Sequence, residues 1–318
     1  MKTDFNKFAK KYAMYIVLLV MCVFFALTSK VFLKTSNILN LVRQSSMAGI
    51  GAVGVMFVIL TGGIDLSIGS AISLQNILVA KMMVDLHIHP LPAVLLGILF
   101  ITLTSTLNGV IVTKLKMPAM IVTLAFMNVY EGLAYITTNG LPVYGFNEKY
   151  RILGQGYVWI IPIPIIIMAA AFVIGAIVLN RSYFGRFIYA VGGNEQAARL
   201  SGLNVDRIKI SAYAICGFFV GVAGMVMLSR VNSGQSNAGM GYEFDALIGV
   251  FLGGVSVSGG KGKLINVLAG VLVLAVLSNG MTLLNVGSYA QTVAKGFVLL
   301  FAVGFDCIQS NRKTIADY

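Results

Sequence analysis

Charge is what this sequence lacks most. Asp, Glu, Lys and Arg make up 11% of its 318 residues, against about 25% in a soluble domain. Hydrophobic residues make up 58%, and the mean hydropathy is +0.89. So little charge cannot cover a 34.0 kDa body in water, which excludes a soluble enzyme, a disordered chain and a nucleic-acid-binding protein. Acidic residues are the scarcer sign, and the net charge is +12. In a membrane protein such an excess collects on cytoplasmic loops and does not mark phosphate binding. The apolar stretches lack alternation, which excludes an outer-membrane barrel. Cysteine is sparse: Cys22, Cys216 and Cys307 each lie in an apolar run and read as small hydrophobes, with no disulfide framework. The first apolar run follows Lys10 and Lys11 and has no small-residue cleavage site, so it reads as a retained span.

What is present is a series of stretches free of charge. A helix needs roughly 20 residues to cross the hydrocarbon. One span each is expected within Tyr12–Ser29, Gln44–Ile64, the short Leu66–Ala80, Leu86–Thr113 (after Pro92), Met117–Thr138, Ile152–Asn180 (with Pro162 and Pro164 near its start), Ile210–Ser229 and the short Ala246–Gly260. Leu264–Ala294 is too long for one helix and must turn near Asn285–Ser288, so a last span runs from about Gln291 to Cys307 and the total is ten. With the N-terminus in the cytoplasm, 15 of the 23 basic residues fall inside: Lys2, Lys7, Lys10, Lys11, Lys114, Lys116, Arg181, Arg186, Arg199, Arg207, Lys209, Lys261, Lys263, Arg312 and Lys313. Asn139–Tyr157 is then an outer loop, and 181–209 is the largest inner loop. The fold class is an all-α polytopic helical bundle forming one transmembrane domain over 1–318.

Several motifs have plain readings. Gly49-Ile-Gly51-Ala-Val-Gly54 matches a dinucleotide-binding pattern, but it lies in an apolar run with no strand before it, so close helix packing accounts for it better. Gly217 and Gly221 have the same packing meaning. Ser258-Gly-Gly-Lys261-Gly-Lys263 fails the phosphate-loop pattern at Val255 and Gly262, so no ATPase is expected in this chain. His87 and His89 lack further ligands and read as an outer turn stopped by Pro90. No paired carboxylates or nucleophile–base pair support catalysis.

Two glycine-rich segments echo each other at an offset of 191 residues: Gly62-Gly63-Ile64-Asp65-Leu66-Ser67-Ile68-Gly69 and Gly253-Gly254-Val255-Ser256-Val257-Ser258-Gly259-Gly260. They read either as breaks in helices that line a cavity or as ordinary turns. Asp65 and Glu131 are the carboxylates deepest in apolar sequence, each with a transport reading and a structural one; for Asp65 the structural one is capping the next helix beside Ser67. Neutral polar residues such as Asn108, Asn128 and Asn279 complete the candidate pathway, and they suit a small, polar, uncharged solute. Gly193 to Gly202 reads as a short helix capped by Asn194 and ended by Gly202, with Glu195 in its first turn and Ala197, Ala198, Leu200 and Ser201 giving a small apolar face. It reads as a docking helix or as a helix lying on the membrane surface.

Three of these segments carry a resemblance. Val58 to Ser70, Phe184 to Gly202 and Leu252 to Gly262 resemble, in order, the motifs of the ribose-type permeases of bacterial ATP-binding-cassette sugar importers. The resemblance covers essentially the whole chain. It implies a fold like that of the cobalamin-importer permease, paired as a dimer in the lipid of the bacterial inner membrane. It implies a cytosolic ATPase on a separate chain, which holds the ATP and Mg, and an extracytoplasmic sugar-binding protein. It also assigns 184–202 to coupling. Family members carry ribose or other monosaccharides or autoinducer-2, and relatives carry nucleosides or branched-chain amino acids. One departure is that Glu131-Gly132 stands where many relatives have Arg-Gly. The alternative class is a self-sufficient secondary transporter or channel, which would leave the large inner loop unexplained.

Overall fold

The structure is a computed structural model that describes the backbone of residues 2–146 and 148–316, with side chains for 14–146, 149–304 and 306. Asn147 and the side chains of Lys2, Lys7, Lys10, Lys11, Cys307, Arg312 and Lys313, named above, lie outside the described residues. The helices are α1 (Lys2–Thr28), α2 (Thr35–Leu60), α3 (Ile68–Val84), α4 (Pro90–Lys114), α5 (Ala119–Thr138), α6 (Ile152–Gln155), α7 (Ile163–Arg181), α8 (Tyr183–Gly193), α9 (Glu195–Leu200), α10 (Val205–Val231), α11 (Tyr242–Leu252), α12 (Leu264–Leu283) and α13 (Ser288–Ala316). A two-stranded hairpin, β1 (Tyr157–Val158) and β2 (Ile161–Pro162), precedes α7.

Local chemistry sets many of the helix ends. Pro90 opens α4 at a position where its missing N–H is no loss, and Pro164 sits in the first turn of α7. Asn139 and Asn232 end α5 and α10 in the left-handed conformation, which asparagine tolerates better than most residues. The centre of the bundle is α2 crossed by α10, with α3, α4, α7, α11 and α12 around them, α5 outside α3, α1 outside α12 and α13 outside α11. Glycine permits the tight crossings. A Cβ on Gly54 would lie 2.9 Å from the Cys216 carbonyl of α10, and one on Gly217 would lie 2.9 Å from the Ile101 carbonyl of α4. The Gly49–Gly54 run is thus helix-packing surface in the middle of α2.

The chain turns at two ends. At one, Lys114 meets Asp206, Gly260 meets Leu60, Tyr15 midway along α1 bonds Asn266, and Asp306 of α13 bonds Val257. At the other, Val143 pairs with Gly234 and Gly154 bonds Ser229. Both Tyr15 of α1 and Asp306 of α13 therefore lie towards the first end. That end also carries the turns at 115–118, 182–204 and 253–263.

Six helices among the described residues are long and apolar enough to cross a membrane: α2, α4, α5, α7, α10 and α12. Three expected segments gain detail. The one span expected within Ile152–Asn180 is α7, which starts at Ile163 with Pro162 and Pro164 near its start as expected, and α6 and the hairpin precede it. The expected span Ala246–Gly260 is the 11-residue α11, about 16 Å long. The chain before it, 233–241, runs as irregular backbone alongside α3: Gly234 packs on Ala80, and Gly239 packs on Gly69 and takes a bond from its own N–H to Ser73 Oγ at 2.9 Å. Non-helical backbone at membrane depth is tolerated where protein buries it. Finally, the segment 181–209, expected as an inner loop, is mostly helix: α8, α9 and the start of α10.

Candidate functional site: the coupling end and the polar node beneath it

Helix α9 is six residues long and held at both ends. Asn194 Oδ1 accepts from Ala197 N–H at 2.9 Å, and Leu203 N–H returns to the Ala198 carbonyl at 3.1 Å past Gly202, whose φ is +81°. Ala198 is buried, while Leu200 at the far end is 90% exposed. Glu195 receives Lys209 Nζ at 2.6 Å and Arg199 at 3.0 Å; Arg199 also reaches Asp206 at 2.8 Å, and Asp206 reaches Lys114 at 3.1 Å. The bond from Lys209, aided by Arg199, holds the Glu195 carboxyl below the usual carboxylate range. This ion network ties α9 to α10 and to the end of α4.

Behind α9 three glycine pairs meet. The Gly260 N–H donates to the Leu60 carbonyl at 3.0 Å, and a Cβ on Gly259 would lie 2.8 Å from Gly62 N. A Cβ on Gly192, at the end of α8, would run into the Leu60 carbonyl and Gly260 N. The two echoing breaks therefore touch each other, and both touch the segment leading into α9. The first opens onto a cavity. A space of about 660 Å³ is lined by Thr61, Gly62, Gly63, Lys116, Glu195 and Tyr213, among others.

Under that cavity lies a buried polar node. Asp65 Oδ1 accepts from Ser67 N–H at 2.9 Å and from Ser67 Oγ at 2.6 Å, and Asn108 Nδ2 donates to Ser67 Oγ at 3.3 Å. Asp65 closes the turn before α3 and does not bond the helix N–H groups themselves; Ser67 stands at the cap. The structure thus brings Asp65, Ser67 and Asn108 together and leaves the other pathway candidates apart. Asn128 is on the exposed face of α5, bonded to the Leu124 carbonyl. Glu131 lines a small pocket with Ser70, Ser73, Ser236, Asn237 and Glu243. Asn279 forms a reciprocal 3.0 Å amide pair with Asn37, clasping α12 to α2.

Residues 37–303 match the family described as branched-chain amino acid transport system / permease component. The chain belongs to this permease family. The permease is 42% identical over 307 residues to the ribose import permease protein RbsC of Bacillus subtilis (strain 168), covering 96% of this chain and 95% of that one. It is 41% identical over 295 residues to the protein of the same name from Escherichia coli (strain K12), covering 92% of each. It is 35% identical over 297 residues to the L-arabinose ABC transporter permease protein AraH of Azospirillum brasilense, covering 93% of this chain and 87% of that one. No solved structure matches it. The permease is a transport subunit, not an enzyme, and a multi-pass protein of the bacterial inner membrane, with six apolar helices long enough to cross it.

Reasoning from sequence missed three kinds of residue in the permease. Tyr130 and Tyr213 bring hydroxyls to the Asp65 node, but a tyrosine in an apolar run signals only an amphipathic ring. Glu243 is 4% exposed, with Oε1 accepting from Gly241 N–H at 3.1 Å; its place at an apolar run's edge made it look like a loop charge. Gly192 carried a signal in its Gly-Gly pair, but nothing pointed to its contact with Leu60.

Proposed function

We propose that this chain is the membrane-spanning permease of an ATP-binding-cassette importer for a monosaccharide of the ribose or arabinose kind. ATP is hydrolysed on a partner ATPase, and sugar is delivered by an extracytoplasmic binding protein. The observation that carries the reading is likeness over nearly the full chain to a ribose import permease. The chain forms a single transmembrane domain that crosses ten times and is built like the cobalamin-importer permease, and two copies pair in the bilayer. Support for ten crossings comes from the alternation of α1, α2, α3, α4, α5, α7, α10, α11, α12 and α13 between the two ends. The end bearing Lys114, Lys116, Arg181, Arg186, Arg199, Arg207, Lys209, Lys261 and Lys263 faces the cytoplasm. The segment Gly193–Gly202 within 181–209 docks the ATPase. A short helix fixed at both ends moves as a rigid body, and its exposed Leu200 is the natural knob for a partner's pocket.

The test is uptake by the permease reconstituted with its ATPase and binding protein. Leu200→Arg is expected to lower ATP-driven pentose uptake at least tenfold while the protein remains inserted, because it places charge on the docking face. Undiminished uptake would sink the docking assignment. Transport of a sugar phosphate as fast as the free sugar would sink the substrate class, since the neutral polar side chains of the spans do not offset an anion's desolvation. The basic residue in the last span, Lys295, is already paired with Asp245 at 2.7 Å.

A further inference from the structure

Four buried polar atoms around Asp65 have no hydrogen-bond partner among the described residues: Asp65 Oδ2, Asn108 Oδ1, Tyr130 Oη and Tyr213 Oη. None of their residues is more than 3% exposed. They come from four places in the chain, namely the break before α3, α4, α5 and α10, and their residues are neighbours. Asp65 and Asn108 share Ser67 Oγ as a partner. Tyr130 and Tyr213 both lie within electrostatic reach of Asp65, and Tyr130 stands beside the side chains of Thr104 and Asn108. The Tyr213 hydroxyl is 3.0 Å from where a Cβ on Gly63 would stand, two residues before Asp65.

Buried polar groups are paired as a rule, and four unpaired atoms on neighbouring residues call for a partner. Their chemistry names it. Asp65 Oδ2 and Asn108 Oδ1 are acceptors, and the two phenols are free to donate. Water offers the complement, two protons and two lone pairs, and buried water typically serves such groups. A bare cation would be held by the oxygens but would leave both phenolic protons unpaired. The site also has an entrance, since Gly63 and Tyr213 line the cavity of about 660 Å³ beside α9.

We propose that the Asp65 node is a built water site, in which water admitted from the α9 cavity bridges Asp65 Oδ2, Asn108 Oδ1 and the hydroxyls of Tyr130 and Tyr213. The water joins the α2–α3 break to α4, α5 and α10. The proposal is independent of the transported solute.

Two measurements on the intact permease in nanodiscs test it. Removing a hydroxyl that bonds water destabilises a protein, whereas removing one that is buried and unpaired is neutral or stabilising. Tyr130→Phe and Tyr213→Phe are each expected to lower Tm by about 2 °C or more. An unchanged or raised Tm in either variant overturns the proposal. A high-resolution structure is expected to show density within about 3.2 Å of the four atoms. Direct bonds among the four atoms with nothing between them overturn it. So does a wild-type Tm that rises when sodium replaces choline at constant ionic strength and ceases to do so in Asp65→Asn, because the occupant is then a cation.

Discussion

The two glycine-rich breaks spell nearly the same motif and meet physically, yet each is held differently. In the first, the clamp is internal: Asp65 accepts from the N–H and the hydroxyl of Ser67. In the second, Ser256 stands where Asp65 would fall, and the carboxylate comes from outside. Asp306 Oδ2 of α13 accepts from Ser256 Oγ at 3.2 Å and from Val257 N–H at 3.1 Å. Both breaks release backbone N–H groups that no helix satisfies, and in both one carboxylate accepts from such an N–H and from a serine hydroxyl. The lesson concerns solvent. The first clamp is buried beside the cavity and belongs to its own segment, whereas the second ties its segment to the last helix.

The comparison breaks hardest at the glycine joint. Gly260 has φ +68° and packs on the backbone of Gly192 and Gly193, so Gly260→Ala adds left-handed strain to an overpacked contact. The expected loss is roughly 2–5 kcal/mol of stability. Gly62→Ala carries the strain alone, with its nearest neighbour the Ser258 carbonyl at 3.7 Å, and is expected to lose roughly 1–2 kcal/mol. Thermal inactivation in nanodiscs ranks the two. Equal losses would mean that the contact with α8 carries no load.

Exchanging the clamps sharpens the contrast. Asp65→Ala leaves the Ser67 donors buried and unpaired, at roughly 2–3 kcal/mol. Asp306→Ala exposes its donors at a half-buried site, and about 1 kcal/mol is expected. If Asp306→Ala proved the costlier, the second break would depend on α13 more than the first depends on its own aspartate.

Much of this was legible beforehand. Charge-free runs located the long helices, and the cap residues of α9, Asn194 and Gly202, stood where side-chain chemistry put them. The echo of the two breaks was visible, but their contact was not, because it is made by backbone atoms of residues far apart in the chain. The start of α11 was misplaced since Glu243 and Asp245 looked like loop charges; one is buried and the other pairs with Lys295. Glu195 proves to be the first residue of α9, a position that tolerates proline. Glu195→Pro, a helix breaker only if Glu195 stood past the first position, therefore acts mainly by removing the bonds to Lys209 and Arg199.

Those bonds give the smallest expected effect, on pH. The folded Glu195 carboxyl titrates lower than in an unfolded chain because Lys209 donates to it and Arg199 stands beside it. A depressed carboxyl contributes its stabilisation above the unfolded pKa, about 4.3, and loses it as pH falls through the lower folded value. Anchoring of α9 is therefore expected to be flat from pH 5 to 8 and to weaken only in stronger acid. Amide exchange of Ala198 and Leu203, corrected for intrinsic rates, reads this directly. In Glu195→Gln the protection should be lower than in wild type above the acid step, converge with it below, and show no acid step of its own. The change is expected to be modest because the ion pairs are about half exposed and solvent screens them. A step near pH 6.5 in the wild type would mean that some group other than Glu195 sets the grip on the helix.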